Sequence, residues 1–474
     1  MIDNSWINSD RQKPSGDKHS KVMSMKVILT VTVILIGCIV TVVVHAVGSD
    51  STAYQAEGIL IDIGDYKTYW TDISYSENTE DPKELLEIAC DIKGYTCHFD
   101  GGKLVEVTID GIDYYDTAEK KWGLWYIEKG KYDYTASDSY SIRASDYTVV
   151  TWAYTKSDGV PIVAVDATAN CIYGYSKPSN TVTLSPVCTE LVGSMKATSS
   201  IVGTDESSNY PTAVKTGKEN KTISVVGTFT DPSYESIMSL SPDMVFCDGS
   251  QLSHKEMAKS LRNSSVNSVV IYNGSDFQSI IKNIFIVGTA MGYELRAIDV
   301  INEIETSFEL LKTMAAATEG SSVMVTLGSN PSPYVAASNT YINDIVTSMD
   351  GENVFSYLVG WPQIISEFVQ MRDPQCIIVL DEGRYKQDEY DLMISTLSAE
   401  WKNTDAYRDG NIYMLCDSVA DMAQRYGPRT IQLVELFARI INPDAFTDGI
   451  VVPKSIGNDY QDYLTITKDQ GYNL

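Results

Sequence analysis

Residues 227–248 read GTFTDPSYESIMSLSPDMVFCD, and residues 360–381 read GWPQIISEFVQMRDPQCIIVLD. The two stretches share one grammar. In each, a loop aromatic, Phe229 or Trp361, stands six residues before a glutamate, Glu235 or Glu367. A proline, Pro242 or Pro374, stands seven residues after that glutamate. Between them a short amphipathic helix is expected, with Ile237 and Leu240 on the apolar face of the first copy and Phe368 and Met371 on that of the second. Proline cannot continue the helix, and the apolar runs that follow, MVF and CIIVL, read as strands buried on both faces. Repetition of the unit predicts two similar α/β lobes, each offering a glutamate and an aromatic from matching places.

Working outward, strands and helices alternate from residue 180 onward, the pattern of a parallel α/β sheet. TVTLSP, SSIVGTD, ISVVG, MVFCD and VNSVVIYN are the expected strands of a first lobe over residues 178–290. Residues 277–318 read as almost continuous helix. Within its later part Leu295, Ile298, Ile301, Ile304, Phe308 and Leu311 recur every three or four residues. A linking helix over residues 291–318 is expected, and about 20 helical residues span roughly 30 Å, enough to bridge two domains. VMVTLG, CIIVLD, NIYMLCD and a closing helix at 428–441 define a second lobe over residues 319–445. Residues 446–474 form a polar tail to which the pattern assigns no element.

Toward the N-terminus, residues 56–156 are rich in Tyr, Trp, Asp and Thr and alternate like strands, which predicts a small, mostly β domain. Its one helical stretch, DPKELLEIACDIKGY, ends at Gly94. Residues 27–48, VILTVTVILIGCIVTVVVHAVG, have about the 20 apolar residues that a transmembrane helix needs. Arg11, Lys13, Lys18, Lys21 and Lys26 precede this run, so the positive-inside rule puts residues 1–26 in the cytoplasm. The expectation is a single-pass protein of the cell membrane with its main body outside. A cleaved signal peptide and a lipoprotein box, LIGC at 35–38, are the alternatives. The apolar run continues ten residues past Cys38, which favours a retained anchor.

The net charge of −27 over 474 residues argues against a nucleic-acid partner, which needs clustered Lys and Arg. Among eight cysteines, Cys90 with Cys97 and Cys171 with Cys188 are near enough in sequence to pair, whereas Cys247, Cys376 and Cys416 sit in core-like runs. No CxxC or His-rich tract points to a metal site, and no GxSxG, P-loop or HExxH motif points to an enzyme. Asn220, Asn263 and Asn273 occupy glycosylation-type sequons.

Residues 181–442 resemble the class III substrate-binding proteins of ABC importers for cobalamin, haem and iron siderophores. The resemblance is carried, in order, by TLSPVCTELVGSM, IVGTDESSNYP, VVGTFTDPSYESIMSLSPDMVF, WPQIISEFVQMRDPQCIIVL and AEWKNTDAYRDGNIYML. It implies two Rossmann-like lobes joined by a long helix, a metal chelate held in the cleft, no cofactor for catalysis, and an ABC permease with its ATPase as partner. Glu235 and Glu367 match the glutamates that dock onto permease arginines. Their plainer role is to complement a helix N-terminal dipole, worth about 0.3–1 kcal/mol.

The local match is to cobalamin binders. Trp361 takes the place of a tryptophan against the corrin, Phe229 that of a second aromatic, and Asp421 lies near a polar contact position. Tyr210 is a cleft-edge candidate, but Ser207 stands where cobalamin binders carry a further tyrosine. A flat macrocycle needs aromatic walls and a few polar groups. Haem is the runner-up ligand. His254 is the lone histidine of the two lobes and is expected on a solvated helix, which disfavours it as an axial ligand and leaves a tyrosine open. A ferric siderophore could be gripped by Arg384, Arg425 and Arg429, whose alternative is salt-bridge duty. Residues 56–156 resemble the transcobalamin-like β domain, through WGLWYIEKGK at 122–131, SDYTVV at 145–150 and WAY at 152–154. Core packing is the plainer role for Trp122, Trp125 and Trp152. An extracellular sensor or adhesin is the alternative of another class; an adjacent permease and ATPase gene pair would favour import, and their absence sensing or attachment.

Overall fold

Strands of β-branched and aliphatic residues, buried on both faces, form the centre of each lobe. The computed structural model describes residues 31–35, 38–42, 57–64, 67–75, 80–129, 134–157, 159–161, 165–170, 172, 177–329, 332–381 and 387–468. The chain divides into two units, Met1–Tyr54 and Gln55–Leu474.

In the first unit the expectation of a membrane helix is overturned. The described part of residues 27–48 is a pair of antiparallel strands, Val31–Leu35 and Cys38–Val42, in register from Val31 opposite Val42 to Leu35 opposite Cys38. No helix among the described residues is long and apolar enough to cross a membrane. The segment is built from Val, Ile and Thr, whose branched side chains are stiff in a helix and fit a pleated strand. Length and hydropathy suggested a helix; branching at Cβ chose the other form. The described residues therefore do not supply the single-pass helical anchor, with its cytoplasmic N-terminus, that length and hydropathy predict. Residues 1–26 lie outside the described residues.

The second unit opens with a mixed five-stranded sheet, ordered Thr68–Asp72, Gly58–Asp62, Tyr147–Lys156, Lys120–Glu128, Tyr134–Ala136, and a three-stranded meander over residues 96–115. The helix Pro82–Lys93 lies in sequence between the first two of these strands and the meander. Asp81 caps it by accepting from Lys83 N at 2.7 Å, and Gly94 ends it at φ 73°. Trp122 and Trp152 are buried, donating from Nε1 to Tyr114 O at 2.7 Å and Pro82 O at 2.9 Å, so they are core groups. Cys90 and Cys97 are free thiols in mutual hydrogen-bonding contact, which pushes Cys90 up and holds Cys97 down. Cys188 is buried in the first lobe, and Cys171 lies outside the described residues.

The other face of the five-stranded sheet packs Leu60, Ile127 and Val149 on Val165, with Tyr272 of the first lobe beside them. Tyr272 Oη donates to Val165 O at 2.7 Å. Next in sequence, buried Asp166 accepts from Arg262 Nη2 at 2.5 Å and from Val270 N at 2.9 Å. The stretch after residue 156 therefore fastens the β-rich part to the lobe.

The first lobe is a parallel sheet ordered Ser224–Val225, Ile201–Thr204, Thr181–Thr183, Met244–Asp248, Asn267–Ile271. The strand order reverses direction at Thr181–Thr183, and such a reversal opens a crevice at the carboxyl ends of the strands. In the second lobe Ser322–Leu327, Cys376–Leu380 and Ile412–Leu415 run parallel, and the tail adds Ser455–Ile456 at the edge.

The near-continuous helix expected over 277–318 is two helices, Phe277–Ala290 and Glu294–Ala315, separated by Gly292 at φ 67°. The rings of Phe277 and Phe308 stack at 4.0 Å, folding one helix on the other. The later helix buries Ala297, Val300, Ile301, Ile304 and Leu311, whereas Leu295 is 77% exposed and starts no stripe. One apolar core runs from Leu191 through Ile284 and Ile301 to Ile378 and Leu436. Both lobes share it.

Candidate functional site

The carboxyl edge of the first-lobe sheet carries the loops with the candidate residues. Tyr210 follows the strand Ile201–Thr204, and Phe229 follows Ser224–Val225. In the second lobe Asp421 sits on the helix Asp417–Ala423, with Arg425 just beyond it, and Trp361 lies in the loop before the helix Ser366–Arg372.

Three of these five meet. Asp421 Oδ2 accepts from Asn209 Nδ2 at 2.9 Å, and Arg425 Nη1 donates to Asn209 Oδ1 at 2.8 Å. Tyr210 offers its ring to the guanidinium of Arg429, 4.0 Å from the centroid. Beneath them lies Glu190, which the sequence reading missed. Its carboxylate accepts from Arg425 Nη1 at 3.0 Å, from Arg429 Nε at 2.8 Å and from Arg429 Nη2 at 2.6 Å. Burial pushes the Glu190 carboxyl up, but the charges and hydrogen bonds of Arg429 and Arg425 outweigh it and hold the group below the usual range. Two of the arginines considered for a siderophore thus do salt-bridge duty, and Arg384 lies outside the described residues. A buried glutamate in an apolar helix, VCTELVGSM, was the available signal for the missed partner.

A second polar contact joins the lobes close by. Tyr426 Oη donates to Asp248 Oδ1, at the carboxyl end of the strand Met244–Asp248. Burial and then the Asp248 charge push the Tyr426 hydroxyl well up, so it stays a donor. Gly274 makes room: a Cβ there would lie 2.3 Å from Tyr426 Cγ.

Phe229 and Trp361 stand apart from this cluster. Phe229 is half-buried and meets His254 edge to face, with centroids 5.5 Å apart. His254 is not on a solvated surface. It is fully buried, with Nδ1 accepting from Asp248 N at 2.9 Å and Nε2 facing Phe229 O at 2.7 Å. The four apolar residues of its helix, LSHKEMAKSLRN, could not show which turn faces inward. Trp361 is half-buried against the shared core, with no hydrogen bond or ring contact to the other four candidates among the described residues.

Glu235 and Glu367 occupy the first turns of Tyr234–Ser239 and Ser366–Arg372, and both are exposed. Neither makes an ion pair among the described residues. The residue two places on, Ile237 or Val369, is fully buried in both lobes. The expected apolar face of the second helix is therefore corrected: Val369 points inward, while Phe368 and Met371 are 41% and 68% exposed. Placing the glutamate outward fixes the rotation of so short a helix, and Phe368 is carried outward with it.

These lobes, their parallel sheets and their linking helix have a family. A model described as periplasmic binding protein matches residues 181–419, half of the chain. The chain belongs to the periplasmic binding protein family. Its members are non-catalytic substrate-binding proteins of the ABC-importer type. Among curated relatives, the uncharacterized ABC transporter substrate-binding lipoprotein YvrC of Bacillus subtilis is 25% identical over 297 residues, covering 62% of this chain and 89% of that protein. A vitamin B12-binding protein of Pectobacterium atrosepticum is 24% identical over 248 residues, covering 49% of this chain and 84% of that protein. Among solved structures, a periplasmic heme-binding protein of Pseudomonas aeruginosa matches with a TM-score of 0.49 at 19% identity, covering 57% of this chain and 94% of the other. The periplasmic vitamin B12 binding protein of Vibrio cholerae matches with a TM-score of 0.47 at 19% identity, covering 56% and 97%.

Proposed function

We propose that this chain captures a metal chelate, a corrinoid first among them, between its lobes and delivers it to an ABC permease. The observation that carries the reading is the pair of exposed first-turn glutamates, Glu235 and Glu367, one on each lobe in matching positions. Two acidic knobs on a shared core present a fixed pair of charges to a basic partner, and charge steers encounter. On the second lobe Ile365, Phe368 and Met371 surround the glutamate with exposed apolar surface, which suits a protein partner.

For the ligand, Trp361 and Phe229 are the flat walls and Tyr210 and Asp421 the polar rim, with Arg425 behind them holding Asp421 in place. The two Pectobacterium relatives named for vitamin B12 support the corrinoid. Against an axial histidine for haem stands His254, whose two ring nitrogens both face backbone groups. The β-rich part over residues 56–156, read as a transcobalamin-like domain, is in this reading a second ligand contact fastened to the first lobe.

The test is an absorption spectrum of protein isolated from its native source, followed by titration with cyanocobalamin, hemin and a ferric siderophore. A corrinoid spectrum and saturable cyanocobalamin binding are expected. A haem spectrum with no cyanocobalamin response moves the ligand to haem, and no response to any of the three sinks the chelate reading.

A further inference from the structure

The loop bearing Phe229 is a closed turn. Gly227 sits at φ 132°, where a Cβ would lie 2.5 Å from Asp231 O, and Thr228 N donates to Asp231 O at 3.2 Å. Its attachment to the body of the lobe runs through the start of the helix Leu252–Asn263. Ser253 Oγ donates to Thr230 O at 3.0 Å, and His254 takes the carbonyl of Phe229 itself. The other ring nitrogen of His254 accepts the backbone N–H of Asp248, whose carboxylate receives the Tyr426 hydroxyl from the second lobe. A single imidazole thus stands between the aromatic wall and the joint of the two lobes.

We propose that His254 is a positioning residue, tying the Phe229 loop to the carboxyl end of the strand Met244–Asp248 and so setting the aromatic wall of the cleft. The chemistry allows one protonation state. With Nε2–H donating to Phe229 O, Nδ1 must be a bare acceptor for Asp248 N, which is the neutral tautomer. A second proton would set Nδ1–H against the Asp248 N–H. Burial holds the ring's basicity down, opposed by the Asp248 carboxylate, the bond to Phe229 O and, more weakly, the Asp205 carboxylate; the Tyr426 hydroxyl bonds to Asp248. A released loop returns the ring to water and to an ordinary histidine value of about 6.5. Proton uptake therefore favours release, and the tether weakens as pH falls below that value.

The consequence for binding rests on the chelate reading above; the tether itself does not. The experiment is hydrogen exchange on the full ligand-free chain, following the amides of residues 228–231 against those of the strand Cys376–Leu380 in the other lobe. His254→Asn keeps an acceptor for Asp248 N and loses the donor to Phe229, so residues 228–231 should exchange at least tenfold faster with the reference strand unchanged. His254→Gln keeps a donor toward Phe229 O and cannot titrate, so protection should persist and its dependence on pH between 7.5 and 5.5 should vanish. In the unaltered protein, protection of that loop alone should fall over the same range, after correction for intrinsic exchange. Equal protection in all three forms, or acceleration spread evenly over the chain, overturns the proposal. Unchanged affinity of Phe229→Ala for cyanocobalamin and hemin overturns the ligand-facing role of Phe229, and does so without altering the exchange result.

Discussion

Glu190 of the first lobe and Arg429 of the second form a bidentate pair, at 2.8 and 2.6 Å, with both side chains almost wholly removed from water. Arg425 shares the same carboxylate, so one negative charge answers two positive ones. Asp421 offsets the surplus, 3.2 Å from Arg425 and partly exposed. The lobes therefore meet through charge as well as through the apolar core beneath.

Removing Glu190 leaves two buried guanidinium groups facing one another. Glu190→Ala is expected to cost about 3–5 kcal/mol in urea unfolding, the range for breaking a buried pair by one partner. Glu190→Gln should cost nearly as much, because the charge is what is missing. Replacing all three by apolar residues of similar size should recover most of the loss. The pH dependence follows from a carboxyl held below its usual value. Its stabilisation is present above the ordinary glutamate range and is lost as pH falls through the lower folded value. A Glu190→Ala cost below 1 kcal/mol would show that the pair is relaxed by water.

The paired motif around Glu235 and Glu367 made the two lobes legible, because Pro242 and Pro374 close a helix and open a strand in both. Strands such as Met244–Asp248 and Cys376–Leu380 were legible because a strand buried on both faces has to be apolar throughout. Burial of polar residues was not. Glu190, Asp166 and His254 owe their places to Arg429, Arg262 and Phe229, between 25 and 239 positions distant. No local pattern names such a partner, although the lone charge of the apolar stretch VCTELVGSM marks Glu190 itself. The apolar run at residues 27–48 was misread for another reason: hydropathy reports how apolar a segment is, whereas Cβ branching bears on whether it pleats or coils.

Trp361 is the larger of the two proposed aromatic walls and is half-buried already, so its free face is what a ligand would cover. Trp361→Ala should weaken cyanocobalamin binding at least tenfold, about 1.4 kcal/mol. A thermal melt run alongside separates loss of core packing from loss of contact. Unchanged affinity in a folded variant removes Trp361 from the cleft.

Charge reversal at both exposed glutamates, Glu235→Lys with Glu367→Lys, should abolish uptake by cells while leaving ligand affinity within twofold. Each single reversal should give a partial defect that deepens at higher ionic strength, since screening weakens the remaining attraction. Neither side chain supports the fold through an ion pair among the described residues, so stability should hold. Normal uptake by the double variant rejects the docking assignment.

The described part of the tail, residues 446–468, unassigned from sequence, is held by a buried glutamate on the helix Thr430–Ile441. Glu435 accepts from the backbone N–H groups of Thr465 at 2.7 Å, Ile466 at 3.1 Å and Thr467 at 2.8 Å, and from Arg439 Nη2 at 2.9 Å. Arg439 also holds Asp448 at 2.7 Å and lies 4.3 Å over the Phe446 ring. Removal of residues 464–474 would leave Glu435 with Arg439 alone and uncover the apolar core that Leu464 closes. That truncation should destabilise the chain by several kcal/mol, on the order of the about 3–5 kcal/mol expected of Glu435→Ala, and the two together should cost less than their sum because they break the same contacts. The hydrogen bond from Arg439 holds Asp448 down at about 2, so its share is present above the ordinary aspartate value and is lost as pH falls through about 2. An additive double variant in urea unfolding would mean that the tail is held by its apolar residues and that Glu435 serves Arg439 alone.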